Sequence, residues 1–286
     1  MVSSLLEKAT RFNELHNSDG IFVMPNAWDA GSAKFLADQG FAALATTSGG
    51  VNYARGRQDY VYAVPASEML EAYGLIAHAV DLPVSGDLEN GYGTDPETVA
   101  ATIRQSAEHG MVGGGIEDWS GDPDNPLYET GLAVERIAAA RQAGDACGFP
   151  YTLTARCEIY SFDLPNRFAE AVRRANLYSD AGADCIFIPG LNDPDDLRRL
   201  VREVPAPISV VAGLGEVVTG EGDPQLSVAE LADIGIRRVS TGGSLARACF
   251  GLLRRAAREL AEEGTFSYTR DAIPDPEINA FYKNFT

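Results

Sequence analysis

The sequence is short of positive charge, histidine and cysteine. Its 286 residues include 23 lysines and arginines against 41 aspartates and glutamates, three histidines and four cysteines, and the formal net charge is −18 at pH 7. A surface that acidic repels nucleic acid and anionic membranes, so neither is expected as a partner. The cysteines lie far apart without a CxxC pair, which argues against a disulfide framework or a zinc site.

Long hydrophobic runs are also missing. No stretch approaches the roughly 20 apolar residues that a membrane helix needs, and the first ten residues, MVSSLLEKAT, contain no apolar run of signal-peptide length. A cytoplasmic location is therefore expected. Hydrophobic residues make up 45% of the chain and charged residues 22%, which allows one large core and disfavours disorder.

Short β-branched runs alternate with longer amphipathic segments along the chain. The helix-like segments that begin at Pro65, Pro96 and Arg167 carry apolar residues at three- and four-residue spacing. Glycines stand where helices should end, at Gly40, Gly110, Gly182 and Gly235. The strand-like runs begin at Ile21, Phe41, Leu82, Met111, Tyr151, Asp184, Pro207 and Ile236. Eight strand–helix pairs predict an α/β fold, a (β/α)8 TIM barrel over residues 1–264. A doubly wound open sheet is the alternative.

The last segment, residues 265–286, has a different character. It contains five aromatic residues but no strand–helix unit. Exposed aromatic rings need a surface to cover them, so we predict a C-terminal extension that packs on the barrel or on a neighbouring subunit.

Acidic residues follow two neighbouring strand-like runs, at the end of a barrel where active sites lie. Asp87 and Glu89 stand two apart, so both can point the same way along a strand, and Glu117 follows the next run. Three converging carboxylates would repel one another without a cation among them. Mg²⁺ suits such oxygen ligands. The alternative is that single carboxylates only cap the following helices, and Asp118 fits a cap or a solvated residue best.

Two further groups at strand ends could bind an anion. The turn Ser48-Gly49-Gly50 can offer consecutive backbone N–H groups to a substrate carboxylate, although an ordinary glycine turn would have the same sequence. Arg156 can bind a carboxylate or phosphonate with both arms of its guanidinium. A structural ion pair with Glu158 or Glu117 is the alternative for this arginine.

The segment after the fourth strand-like run, Trp119 to Gly131, is long and rich in Pro, Asp and Gly. Its place above the carboxylates is typical of a gating loop, with a static surface loop as the alternative. The three histidines, His16, His78 and His109, fall on helix-like segments away from the strand ends. We interpret them as structural, since no Ser-His-Asp arrangement can be assembled from them.

Several motifs occur in a characteristic order: PNAWDAGSA, TTSGG, GDLENGYG, GIED and TAR. With this order and spacing, the chain resembles the isocitrate lyase/phosphoenolpyruvate mutase superfamily over nearly its whole length. The resemblance implies a (β/α)8 barrel, Mg²⁺ with Mn²⁺ as an alternative ion, and enolate intermediates. It also implies a homo-oligomer, a tetramer or a dimer, often with exchange of the last helix between subunits.

The resemblance also assigns roles to individual positions. Asp87 resembles the direct magnesium ligand, and Glu89 and Glu117 resemble carboxylates that hold the metal largely through water. The segment that resembles the carboxylate-binding site comprises Thr47, Ser48, Gly49 and Gly50. The residues that resemble catalytic groups are the substrate-binding Arg156, the acidic Asp59 and Asn125 on the gating loop.

The loop after GIED departs from several subfamilies. Isocitrate and methylisocitrate lyases carry a cysteine acid in a KxCGH-type loop, and phosphonomutases carry a loop lysine near Pro123, but WSGDPDNPLYETG has no Cys, His or Lys. The chain therefore looks closer to oxaloacetate-decarboxylase-like and carboxyphosphonoenolpyruvate-mutase-like members. We predict a Mg²⁺-dependent lyase or decarboxylase that cleaves a C–C bond next to the carbonyl of a small 2-oxo or 2-hydroxy acid. The alternatives are P–C bond chemistry of the phosphonomutase or phosphonopyruvate hydrolase type, and a non-catalytic 2-oxo-acid binding protein.

Overall fold

Nine parallel strand segments form one sheet in the computed structural model, which describes residues 3–59, 64–213 and 226–285. Their order is β1-β9-β8-β7-β6-β5-β4-β3-β2. The strands are β1 Phe22–Met24, β2 Asn26–Ala27, β3 Leu44–Thr46, β4 Val84–Asp87, β5 Gly113–Glu117, β6 Thr152–Arg156, β7 Cys185–Phe187, β8 Ile208–Val211 and β9 Arg238–Ser240.

The two ends of this order, β1 and β2, are separated along the chain only by Pro25. β1 pairs with β9 and β2 pairs with β3, so a single strand-like run joins both sides of the sheet and closes the barrel. Pro25 has no N–H to donate to a neighbouring strand, and the ladder breaks there, although its carbonyl still accepts from the N–H of Ala45 at 2.9 Å. The predicted (β/α)8 barrel is confirmed, with its first strand divided in two, and the open-sheet alternative is wrong.

Helices follow the strands on the outside of the barrel. They are α1 Leu5–Asn17, α2 Ala30–Asp38, α3 Ser48–Ala54, α4 Ala66–His78, α5 Pro96–Glu108, α6 Thr130–Asp145, α7 Arg167–Asp180, α8 Pro194–Glu203, α9 Val228–Ile234, α10 Ser244–Glu262 and α11 Asp275–Lys283. Two 3₁₀-helices span Glu158–Ser161 and Ser267–Asp271. Among the residues described, none of these helices combines the length and apolarity needed to cross a bilayer.

The predicted helix ends agree with the structure except at Pro65. Pro96 is the first residue of α5, whereas Pro65 precedes α4 as its N-cap. The four glycines that were expected to stop helices all have φ between +82° and +102°, a region where a side chain costs energy and which commonly ends a helix.

Helix α1 lies against the N-terminal end of the barrel, while the opposite end stays open. The fully buried ring of Phe12 packs close to Gly113 at the start of β5. Between this closed end and the open end of the barrel, several interior positions carry small side chains, among them Ala45, Ser85 and Gly115. The small residues leave a cavity of about 850 Å³ that opens towards the carboxyl ends of the strands.

The C-terminal elements differ in how well they are covered. In α10 only Ala246 and Ala256 are buried, and exposed apolar side chains include Leu253, at 61% exposure. The last helix, α11, stacks Phe281 on Phe35 of α2 with ring centroids 4.2 Å apart. The aromatic residues of α11 thus rest on the barrel of the same chain, while one face of α10 remains open.

Candidate active site

The cavity at the carboxyl ends of the strands contains most of the predicted site residues. Those that line it are Thr47, Ser48, Gly49, Asp59, Asp87 and Arg156. The strand-end rule for barrels therefore brings together residues that are up to about a hundred positions apart in the sequence.

Asp87, the last residue of β4, is held from several directions. Its N–H donates to Thr46 Oγ1 at 2.9 Å, and its carbonyl accepts from the hydroxyl of Tyr73 at 2.7 Å. Its Oδ2 accepts from both the N–H and the hydroxyl of Ser48, each at 2.8 Å. The other oxygen, Oδ1, faces Arg156 with 3.5 Å to Nη1. The carboxylate is thus fixed at the mouth of the cavity before any ligand binds.

Arg156 lies among three carboxylates. Its Nη1 is 3.5 Å from Asp87 Oδ1 and 3.4 Å from Glu117 Oε2, and its Nε pairs with Glu158. Burial raises the pKa of Glu117 well above its usual value, and the Arg156 charge opposes that rise. Both ion pairs considered as structural alternatives for Arg156 are present, together with a third to Asp87. The guanidinium therefore offsets part of the negative charge of Asp87, Glu117 and Glu158.

Glu89 reaches the cluster by a different backbone route from the one predicted. β4 ends at Asp87, and Glu89 has φ of +50°, so the argument from two positions on one strand is wrong. The side chain is nevertheless buried, and this burial, followed by the charges of Asp87 and Asp59, raises the pKa of Glu89 to about 8. Its Oε1 is buried without a hydrogen-bond partner among the described residues.

These features test whether the carboxylates fit a divalent cation. Among the residues described, no three His, Cys, Asp or Glu side chains lie close enough to ligate one ion together. A buried carboxylate oxygen without a partner, next to the fixed Asp87, nevertheless favours a positive charge at this place. Mg²⁺ commonly takes one or two protein carboxylates and keeps several waters. The donor set therefore fits a Mg²⁺ ion that keeps most of its water.

The segment Ser48-Gly49-Gly50 is not a free turn but the first turn of α3. Thr47 is the N-cap, and its Oγ1 accepts from the N–H of Gly50 at 3.2 Å. The N–H of Ser48 is used by Asp87. Gly50 is not among the described residues that line the cavity and packs against Thr47 and Trp28. The expected row of N–H groups for a substrate carboxylate is thus partly occupied by the protein itself.

The two remaining candidate catalytic residues have different positions. Asp59 is half-buried, lines the cavity and accepts from the amide of Asn52 at 3.3 Å. Asn125 is exposed and its amide donates to Asp122 at 3.1 Å within the predicted gating loop. Asn125 lies outside the described lining of the cavity, so a role for it requires movement of this loop, which stays a prediction.

Asp118 is neither a solvated residue nor a simple helix cap. It is 4% exposed, and its Oδ2 accepts from Tyr178 at 2.6 Å and from Arg174 at 3.1 Å. Its Oδ1 accepts from the N–H of Glu158 at 2.8 Å. This buried network fixes the chain that follows β6, and so the position of Glu158 beside Arg156.

The three histidines lie outside the described cavity lining, in agreement with their structural interpretation. In each, Nδ1 lies 2.6–2.8 Å from the carbonyl oxygen four residues earlier on the same helix. Burial and the nearby Arg238 lower the pKa of His16 to about 3.

Sequence reasoning missed several polar residues that line the cavity, among them Asn26, Arg238 and Ser240. Asn26 donates to the carbonyl of Thr46 at 2.6 Å and accepts from the N–H of Thr241 and of Gly242 at 2.9 Å each. It therefore ties the end of β3 to the loop after β9. The signal was available for Asn26 and Ser240, because the strand-end rule applied to the first and last runs selects PNAW and STGG.

The family of the chain follows from a match to a family sequence profile. The family described as Phosphoenolpyruvate phosphomutase matches residues 12–261 of the chain. The chain belongs to this family. The superfamily resemblance predicted from the sequence motifs is thereby confirmed.

Relatives of the chain within the phosphomutase family include proteins with and without a named activity. An uncharacterised protein of Mycobacterium tuberculosis is 32% identical over 251 residues, which cover 88% of this chain and 89% of the relative. The 2,3-dimethylmalate lyase of Eubacterium barkeri is 26% identical over 80% of this chain and 78% of the relative. A crystal structure from Burkholderia cenocepacia, provisionally described as a lyase/mutase, is 45% identical with a TM-score of 0.91, covering 97% of this chain and 96% of that one.

Membership in the phosphomutase family carries coarse functional information. The superfamily consists of enzymes, mostly Mg²⁺-dependent lyases or mutases. They act on small carboxylic acids and commonly form oligomers. The chain thus belongs to a superfamily of C–C lyases and phosphonomutases.

The packing of Gly50 leads to a stability prediction. A Cβ added at Gly50 would lie 2.7 Å from Thr47 Cγ2 and 2.8 Å from Trp28 Cβ, whereas at Gly251 in α10 the nearest atom is the end of Arg255 at 3.7 Å. Alanine in a helix is ordinarily favoured over glycine by up to about 1 kcal/mol. We expect Gly50→Ala to lose roughly 1–3 kcal/mol of unfolding free energy from overpacking, and Gly251→Ala to gain stability. Urea denaturation of both variants measures this, and equal gains would contradict the tight packing.

Proposed function

We propose that the protein is a Mg²⁺-dependent lyase or decarboxylase that cleaves a C–C bond next to the carbonyl of a small 2-oxo or 2-hydroxy carboxylic acid. The reaction passes through an enolate. One observation carries the proposal: a fixed Asp87 and the cation of Arg156 line one cavity, and the buried Glu89, whose Oε1 has no hydrogen-bond partner among the described residues, lies near both. This arrangement supports both a metal ion and a carboxylate substrate.

Three residues would hold the metal in this proposal. Asp87 would be the direct ligand, and Glu89 and Glu117 would hold the ion largely through its water, with Mn²⁺ as an alternative to Mg²⁺. When bound, the ion supplies positive charge for the oxygens of the substrate. Ser48 donates twice to Oδ2 of Asp87, whereas Oδ1 faces Arg156 at 3.5 Å, so the ion would share this oxygen with the guanidinium.

The remaining residues orient the substrate and exclude water. Arg156 binds an anionic group of the substrate, and Thr47, Ser48, Gly49 and Gly50 form the wall that receives its carboxylate. Asp59 faces the same cavity, and closure of the loop from Trp119 to Gly131 brings Asn125 towards it. A closed and drier site strengthens each charge interaction during bond cleavage.

The proposed enzyme is a cytoplasmic homo-oligomer, a dimer or a tetramer. Exposed apolar side chains line α10, among them Phe250, Leu253 and Leu260. Apolar surface of this kind is typically covered by a second subunit. In this arrangement residues 1–264 form the catalytic barrel and residues 265–286 the extension.

P–C bond chemistry is the second candidate function. The profile that matches the chain is that of a phosphomutase, and a guanidinium such as that of Arg156 also suits a phosphonate. Against it, the loop from Trp119 to Gly131 lacks the lysine that phosphonomutases carry. A binding protein without catalytic activity is the third candidate.

Turnover with and without metal tests these functions. Purified protein is incubated with oxaloacetate, 2,3-dimethylmalate and phosphonopyruvate, in Mg²⁺ and after treatment with EDTA. We expect cleavage of a C–C substrate that falls at least about 100-fold in EDTA and returns with added Mg²⁺. Turnover of phosphonopyruvate alone would support the second function, and tight oxalate binding without any turnover the third. Activity that persists without metal would contradict the first two.

A further inference from the structure

Arg238 is a buried cation inside the cavity. It is separate from the acidic cluster formed by Asp87, Glu89 and Glu117. It is the first residue of β9, is 4% exposed, and lines the same cavity as Asp87 and Arg156. Among the residues described, no carboxylate lies within ion-pair distance of it, whereas Arg156 has three. Within the described part of the chain, the cavity is thus lined by two cations, and carboxylates lie close to Arg156 but not to Arg238.

The groups that contact Arg238 are neutral. Its Nε donates to Ser209 Oγ at 2.9 Å, and Nη1 and Nη2 each lie 3.1 Å from Thr154 Oγ1. Nη1 also lies 3.1 Å from His16 Nε2. These contacts occupy four of the five N–H groups of a guanidinium. They orient the side chain but do not neutralise its charge.

His16 cannot compensate the charge either. Its Nδ1 lies 2.8 Å from the carbonyl oxygen of Phe12, which can only accept a hydrogen bond, so Nδ1 carries the hydrogen. The other nitrogen, Nε2, is then left as an acceptor for Arg238, and the imidazole is neutral. A guanidinium stays protonated in proteins, and burial of a charge without a counterion is unfavourable. An anion in the cavity would offset this cost.

The geometry leaves room for such an anion. Thr154 stands two residues before Arg156 on β6, so the Arg238 guanidinium lies about 7 Å deeper along the strand than the backbone of Arg156. Around the level of Thr154 the wall carries small groups, among them Gly115, which pairs with Thr154, and Ser85. At Gly115 an added Cβ would meet only Thr154, at 4.0 Å. The interior is therefore open from the mouth down to Arg238.

We propose that Arg238 is the binding group for the second carboxylate of a dicarboxylic acid substrate with four or five carbons. The 2-oxo end of the substrate lies at the acidic cluster and its far carboxylate points inward, where the guanidinium of Arg238 and the hydroxyl of Thr154 receive it. This inference rests on the proposed function for the orientation of the substrate. It defines the substrate class as dicarboxylates bound along the barrel axis.

Binding of matched ligands tests the proposal without relying on turnover. Calorimetry in Mg²⁺ compares 2-oxoglutarate with 2-oxopentanoate, which differ in the distal carboxylate alone, and uses oxalate as a ligand for the mouth. We expect the protein to prefer 2-oxoglutarate by at least about tenfold. Arg238→Met should abolish this preference and leave oxalate affinity unchanged. Arg198→Met, on the exposed part of α8, is the control and should change neither value.

Several results would overturn the proposal. These are the absence of a dicarboxylate preference in the unmodified protein, an equal loss of oxalate and 2-oxoglutarate binding in Arg238→Met, or a site filled by chloride or sulfate that does not compete with 2-oxoglutarate. If Arg238→Met does not fold, Arg238→Lys keeps the charge without the planar fork. The preference should then fall severalfold with oxalate binding intact, and an unchanged preference would argue against the site. A preserved preference in a protein without turnover would refute the proposed function alone.

Discussion

Asp87→Asn is expected to weaken Mg²⁺ binding by at least about 100-fold and to reduce turnover to the same extent. Asp87 is the carboxylate that the fold fixes most firmly, since Ser48 donates twice to its Oδ2 and Tyr73 and Thr46 hold its backbone. An asparagine oxygen can still accept from Ser48, so the local structure should survive the change. What is lost is the negative charge towards the metal.

Asp184→Asn provides a matched control at the opposite end of the barrel. Like Asp87, Asp184 accepts from a backbone N–H, that of Leu153 at 2.7 Å, and pairs with an arginine, Arg141 at 2.8 Å. We expect this variant to lose stability but to bind Mg²⁺ normally. Titration with Mn²⁺ followed by electron paramagnetic resonance measures both affinities, together with thermal melting in the absence of metal. Equal metal affinity in Asp87→Asn and in the unmodified protein would remove Asp87 from the proposed site.

Most of the barrel could be predicted from the sequence because its signals are local. Alternating runs, helix periodicity and the glycines after helices each depend on a few neighbouring residues, and the strand segments fall inside all eight predicted runs. The division of the first strand at Pro25 was missed. A proline within an apolar run indicates a broken ladder, but the switch of partners from β9 to β3 is a property of the closed sheet.

The site was predictable where strand ends alone decide it, as for Asp87, Glu117 and Arg156. It was less so where local backbone conformation intervenes. Glu89 takes a left-handed conformation after the strand, and Ser48 and Gly50 begin a helix rather than a turn.

The role of Arg238 could not be predicted from neighbouring residues, because its contacts are long-range. His16 is 222 positions away in the sequence. The sequence contains one indication that this arginine points into the barrel. Strand faces alternate, so Arg238 lies on the same side as Ser240.

Arg156→Gln is expected to reduce turnover by at least about 100-fold while leaving Mg²⁺ affinity unchanged or slightly increased. The loss follows because the proposed anchor for an anionic group of the substrate disappears. The metal should be unaffected because Arg156 lies 3.5 Å from Asp87 and 3.4 Å from Glu117 and competes with a cation for these carboxylates. Its removal therefore leaves more negative charge for the ion.

The contrast between the two variants separates the roles of the cluster. Asp87→Asn should lose metal and turnover together, whereas Arg156→Gln should keep the metal and lose turnover. Arg141→Gln, which removes an arginine paired with Asp145 and Asp184 at the closed end of the barrel, should affect stability alone. If Arg156→Gln lost Mg²⁺ affinity as well, the guanidinium would act mainly by holding Asp87 and Glu117 in place. Arg156 would then be a positioning residue for these two carboxylates rather than a binding group for the substrate.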